Sequence, residues 1–134
     1  MDASHIDHVN LRIPEDGVER AAAFYADALG FDVEGRERYE AGEKPFFDVR
    51  LTPEAVLHLW PTDDFDPPTG ENYDHVAIVV DHTIEEMRER LDRAGVPIQK
   101  ELTPLGATGE APAAYVKDPF GYTVELKSAF PDGA

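Results

Sequence analysis

IDHVNLRI, residues 6–13, has a counterpart in YDHVAIVV, residues 73–80. Both begin Asp-His-Val and run on into alternating or continuous apolar residues, the pattern of a β-strand. A helix is expected after each. The first starts near Asp16, with Glu19 as its capping-box partner, an apolar stripe of Val18, Ala21, Ala22, Tyr25 and Leu29, and Gly30 as its end. The second starts near Thr83, with Glu86 as partner, a stripe of Ile84, Met87, Leu91 and Ala94, and Gly95 as its end. Three strand-like segments follow each helix, at roughly 31–40, 45–52 and 55–60, then at 97–103, 112–117 and 121–128. KDPFGY, 117–122, is a turn that joins the last two strands as a hairpin. PTDDFDPPTGEN, 61–72, has no apolar periodicity and many turn formers, so it is the expected linker. The predicted fold is α+β: two tandem βαβββ modules in one 134-residue domain, module one at 5–60 and module two at 73–128.

Alternation along the strands says which side chains avoid the helix. Val9, Leu11 and Ile13 should meet the first helix, leaving His8, Asn10 and Arg12 on the other face. Val76, Ile78 and Val80 should meet the second, leaving His75, Ala77 and Val79. By the same count His58 in VLHLW, 56–60, faces away from the helix with Val56 and Trp60, and Thr123, Glu125 and Lys127 do so in the last strand. His8 and His58 are 58 − 8 = 50 residues apart, and His75 and Glu125 are 125 − 75 = 50 residues apart. Each pair joins the first strand of a module to its last. If the two sheets curl towards each other, these four side chains converge, and neutral imidazoles with a carboxylate suit Fe, Zn, Ni, Co or Mn. His5 and His82 lack this symmetry and are read as surface residues.

Composition limits the partners. A net charge of −16 argues against nucleic acid and anionic membranes, which need basic surfaces. With no cysteine, disulfides and thiolate sites are excluded. No apolar run approaches a membrane span and no signal peptide is apparent, so a cytoplasmic protein acting on a small molecule is the default expectation. Eight Arg against four Lys in so acidic a chain would also suit a cytoplasm of very high salt.

IDHVNLRI, AAFYADALGF, YDHVAIVV and YVKDPFGYTVEL together resemble the vicinal oxygen chelate superfamily, over about residues 5–128. That family includes glyoxalase I, extradiol ring-cleaving dioxygenases, methylmalonyl-CoA epimerase, fosfomycin-inactivating enzymes and bleomycin-binding proteins. The resemblance implies paired modules forming a cup-shaped mixed sheet with helices on its outer face, and favours a homodimer. It implies metal ligands at His8, His58, His75 and Glu125, with Glu125 also the catalytic base. At the His58 position bacterial-type glyoxalase I usually has a glutamate, which puts a two-carboxylate mechanism in doubt. The family's shared chemistry is chelation of two neighbouring substrate oxygens by a divalent ion, so a glyoxalase-like lyase or isomerase, or a ring-cleaving dioxygenase, is expected. The alternative is a metal-free drug-sequestering protein of the bleomycin resistance type. Asn10, Arg12, Arg50, Trp60, Tyr115 and Lys127 are the candidate substrate contacts. Thr123 joins Asn10 and Tyr115 as a possible donor behind the metal, and Phe46, Phe47 and Tyr73 join Trp60 as pocket walls. Core packing is the alternative account of the wall and donor residues, and a solvated ion pair that of Arg50 and Lys127.

Overall fold

The computed structural model describes residues 1–132 and divides into two compact units, Met1–Asp66 and a second from Pro67 onward. The first holds a four-stranded sheet in the order β1 (His8–Pro14), β4 (Ala55–Thr62), β3 (Phe47–Thr52), β2 (Asp32–Glu34). β1 and β4 are parallel, and the other neighbours are antiparallel. The second holds the equivalent sheet in the order β5 (Val76–Val80), β10 (Thr123–Ser128), β9 (Ala113–Lys117), β6 (Lys100–Leu102), with β5 and β10 parallel. The α+β class and the repeated module are therefore as expected. Among the described residues no helix is long and apolar enough to cross a membrane.

Side-chain rows across the ladders explain how each sheet is sided. In the first unit Val9, Leu57 and Val49 share a row, and Leu11, Leu59 and Phe47 share another on the same face. Leu57, Leu59, Phe47 and Val49 are essentially inaccessible, as is Tyr25 of the preceding helix. That face is the core of the unit. His8, Asn10 with His58 and Asp48, and Arg12 with Trp60 occupy the opposite face. In the second unit Ile78, Leu126, Ala114 and Glu101 form one row. Arg88 of helix α3 (Ile84–Ala94) grips Glu101 through Nε at 3.1 Å and Nη2 at 2.7 Å, so α3 covers this face. The other face carries Ala77, Glu125, Tyr115 and Lys100 in one row and Val79, Lys127, Ala113 and Leu102 in the next.

The two helices were written with similar signals but end up different. Thr83 caps α3 with a complete capping box: its side chain accepts from the Glu86 backbone N–H at 3.2 Å, and Glu86 accepts from the Thr83 N–H at 3.2 Å. Gly95 ends it at φ 72°, a left-handed residue that glycine adopts without steric cost. Ile84, Met87 and Leu91 are buried, whereas Ala94 is exposed. At the first helix the expected Asp16–Glu19 box is absent. The chain leaves Pro14, whose side chain has nothing to cap with, into a 3₁₀ turn at Glu15–Gly17, then α1 (Val18–Ala22), then a π-helical stretch at Ala23–Ala28. Phe24 and Tyr25, both in this stretch, are buried.

Two further expectations are corrected. The strand expected over 31–40 stops at Glu34. Gly35 turns the backbone to φ 82°, and RERYE becomes the short helix α2 (Arg36–Glu40), with Arg36 bonded to both Glu19 and Glu40. Between the segments expected as strands at 97–103 and 112–117, where none was assigned, lies a small hairpin of β7 (Leu105–Gly106) and β8 (Gly109–Glu110).

Candidate functional site

The pairs predicted from spacing are each brought together within their own unit. In the first, His8 stands at the start of β1 and His58 in β4, both on the face away from the core. Their ring centres lie 4.1 Å apart. In the second, His75 immediately precedes β5 and its Nε2 lies 3.2 Å from Oε1 of Glu125 in β10. The offset is the same in both sheets: each histidine stands at the head of the first strand and its partner lies diagonally across the parallel ladder. Two donors bound side by side to one ion at about 2.1 Å lie about 3 Å apart, and the ring centres of two such imidazoles about 4.5 Å apart. Both pairs have nearly these separations. Among the described residues no three His, Asp or Glu side chains are grouped closely enough to hold an ion by themselves. Each unit offers two donors of suitable chemistry.

The histidines have companions that the sequence reading did not assign. Asp7 holds Nδ1 of His8 at 2.7 Å, Asp74 holds Nδ1 of His75 at 2.6 Å, and Asp48 holds Nδ1 of His58 at 2.5 Å. His8 and His75 hold the carboxyls of Asp7 and Asp74 below the usual range, chiefly through these hydrogen bonds. The signal for two of them was visible, since Asp-His opens both repeats. Asp48 faces His58 across the β3–β4 ladder, and finding it requires the register of the turn at Pro53–Glu54.

His75 is thus flanked by carboxylates at both nitrogens. An ionised carboxylate only accepts hydrogen bonds, so a neutral ring donates to one of the two and turns its other nitrogen's lone pair towards the other. Where that lone pair faces Glu125, the pairing is repulsive unless a cation lies between them. Glu125 is 4% exposed, and water does little to relieve it. Tyr115, its neighbour in the β9–β10 ladder, donates its hydroxyl to Glu125, and its ring meets the His75 ring edge-on at 5.6 Å. Burial pushes the Tyr115 phenol up to about 12, and the Glu125 carboxylate adds to that.

The remaining candidates divide. Trp60 stacks on Phe46 with ring centres 5.5 Å apart, Phe46 approaches the His58 ring at 4.2 Å, and the Arg12 guanidinium sits 4.6 Å over Trp60. Arg12, Trp60, Phe46, His58 and His8 therefore form one continuous run of contacts, in which only Phe46 and Trp60 are stacked face to face. Asn10 is exposed in the same row as His58. Phe47, expected as a pocket wall, belongs to the core row of the sheet and is inaccessible. Tyr73 donates its hydroxyl to the Thr123 carbonyl at 2.9 Å, and burial pushes its phenol up to about 12. Arg50 is engaged by Glu34 at 3.0 Å and by the carbonyls of Thr52 and Pro53. Lys127 shares a face with Glu125, but it is buried and its Nζ donates to the Gly109 carbonyl at 2.6 Å, pinning the β7–β8 hairpin.

A model of the Glyoxalase/Bleomycin resistance protein/Dioxygenase superfamily matches residues 5–126. The lactoylglutathione lyase of Salmonella typhimurium is 31% identical, over 91% of this chain and 90% of its own length. That of Escherichia coli O157:H7 is 29% identical, over 89% and 88%. Among solved structures, the lactoylglutathione lyase of Agrobacterium tumefaciens has a TM-score of 0.67 at 18% identity, covering 96% of both chains. A glyoxalase family protein of Enterococcus faecalis has a TM-score of 0.64 at 23% identity, covering 93% of this chain and 96% of its own. With the repeated module, its two donor pairs and a family match across most of its length, the chain belongs to the glyoxalase/bleomycin resistance protein/dioxygenase superfamily.

Proposed function

We propose that this protein is a divalent-metal lyase of the glyoxalase I type, converting the hemithioacetal of an α-ketoaldehyde and a thiol into a thioester. The observation that carries it is the pairing of His75 Nε2 with the buried Glu125 carboxylate at 3.2 Å, close to the separation of two donors side by side on one ion. The relatives named lactoylglutathione lyase support the substrate class. The proposed donors are His8 and His58 in the first unit and His75 and Glu125 in the second. Equal spacing and equivalent places in the two sheets support the grouping.

When bound, the ion supplies Lewis-acid polarisation of two neighbouring substrate oxygens. The chain supplies the rest. Glu125 is the proton carrier: it takes the proton from the carbon bearing sulfur and returns it to the adjacent carbon. The net change is an internal rearrangement that needs no oxidant. Tyr115 keeps its own proton far above neutral pH, so it goes on donating to one carboxylate oxygen and orients the other for transfer. Asn10, Arg12 and Trp60 are the substrate contacts retained in this reading. Arg50 and Lys127 have the other partners described above.

The test is element-resolved metal analysis of protein purified without chelator or affinity tag, then turnover on α-ketoaldehyde–thiol adducts and on catechols. Nickel, cobalt or zinc with thioester formation supports the proposal. Iron with O₂ uptake on a catechol overturns it in favour of ring cleavage. Ligand binding that survives complete removal of metal overturns it in favour of a sequestering protein.

A further inference from the structure

Three aspartates hold three histidines by the same nitrogen, but the three contacts are not alike. Asp7 and Asp74 are sequence neighbours of their histidines, and their side chains are 79% and 88% exposed. Asp48 comes from another strand, is 14% exposed, and its second oxygen takes the Lys44 ammonium at 3.2 Å. Lys44 is itself largely covered and stands 4.5 Å over the Phe46 ring. Phe46 in turn lies against His58. Water competes strongly for the two exposed aspartates and weakly for Asp48. His58 is therefore fixed from several sides: Asp48 at Nδ1, the Phe46 ring, and the His8 ring.

We propose that Asp48, anchored by Lys44, is a positioning residue: it locks His58 as the Nδ1–H tautomer with Nε2 free, and so sets how tightly the site holds its ion. Asp7 and Asp74 contribute little to that grip, because solvent replaces them. This rests on the metal reading above. It also assigns a physical role to the Lys44–Asp48 pair, which takes no direct part in proton transfer. A carboxylate behind a ligating imidazole raises its donor strength and fixes its plane.

The experiment uses full-length protein with ¹⁵N-labelled histidine. Nitrogen chemical shifts in the metal-free protein read the tautomer of each ring, and competition with a chelating indicator reads the Zn²⁺ affinity. Asp48→Ala should move His58 away from the pure Nδ1–H form and weaken Zn²⁺ about 10- to 100-fold. Asp7→Ala and Asp74→Ala should each weaken it less than about threefold. Asp48→Asn keeps the size and an acceptor but loses the charge, and should fall between. Because it is near-isosteric, it guards against a misfolded alanine variant. Lys44→Met should weaken Zn²⁺ in the same direction as Asp48→Asn. An unchanged His58 tautomer in Asp48→Ala, or equal losses in all three alanine variants, would overturn the positioning role. A wild-type protein with Nδ1–H rings that binds no Zn²⁺, Ni²⁺ or Co²⁺ would overturn the metal reading and this role with it, and is told apart by the tautomers remaining as described.

Discussion

Replacing Tyr115 by Phe removes one hydroxyl and leaves the ring. The hydroxyl donates to Glu125, a carboxylate that is 4% exposed in the middle of the second sheet. A hydrogen bond to a charged group is worth about 1.5–3 kcal/mol, and a buried acceptor left short bears its desolvation cost in full. The His75 side chain beside it is a third exposed, so some water can approach the Glu125 oxygen, and the lower half of that range applies. About 2 kcal/mol in a chain of 134 residues lowers Tm by roughly 5–10 °C. Thermal unfolding of the metal-free protein followed by circular dichroism measures it, with Glu125→Gln as the partner of a double-mutant cycle. With the charge removed the hydroxyl bonds a neutral amide, worth about 0.5–1.5 kcal/mol, so Tyr115→Phe should cost less in that background. A Tm for Tyr115→Phe within about 1 °C of wild type, and no coupling in the cycle, would show that Tyr115 does not hold Glu125. The account of an oriented proton carrier would fail with it.

Further outcomes follow from the same contacts. His75→Ala and Glu125→Gln should each abolish stoichiometric metal by elemental analysis, whereas a metal-free binding protein would keep its ligand affinity in both. Thr83→Ala should cost about 1 kcal/mol by chemical denaturation, because it breaks a complete capping box, and Asp16→Ala should cost far less, because Asp16 caps nothing. Tyr115 and Tyr73 have phenols raised from the ordinary 10 to about 12, so the folded state holds protons that the unfolded state gives up. Their contribution is complete below pH 10 and is lost as pH rises through 12, which denaturation midpoints across that window should follow. Raising KCl to molar levels should raise Tm, since salt screens the self-repulsion of a −16 chain; a flat or falling Tm would remove charge repulsion as a significant cost in this fold.

Much of the site was legible because strand alternation is a local rule. Once DHV, VLHLW and TVELK are taken as strands, a period of two places His8, His58, His75 and Glu125 on one side of their sheets without any tertiary information, and the structure places them there. The second helix was legible for a similar reason, as Thr83, Glu86 and Gly95 act on backbone groups within a few residues of themselves. The first helix was not, because no side chain caps it and its π-helical turn at Ala23–Ala28 leaves no mark in the apolar spacing. Segment 36–40 misled because its alternation is overridden at Gly35 and by the pull of Glu19 and Glu40 on Arg36.

The sequence by itself determined the tandem α+β module, the faces of the first and last strands of each module and the pairing of His8 with His58 and of His75 with Glu125. Those depend on periodicities and spacings written along the chain. Only the tertiary structure decided that Asp48 backs His58, that Tyr115 holds Glu125, that Arg50 is tied to Glu34 and that Lys127 is spent on the Gly109 carbonyl. Each is a contact between side chains far apart in sequence. Which donor meets which acceptor there depends on strand register and on what each group loses when water is excluded, and neither quantity exists until the sheet has formed.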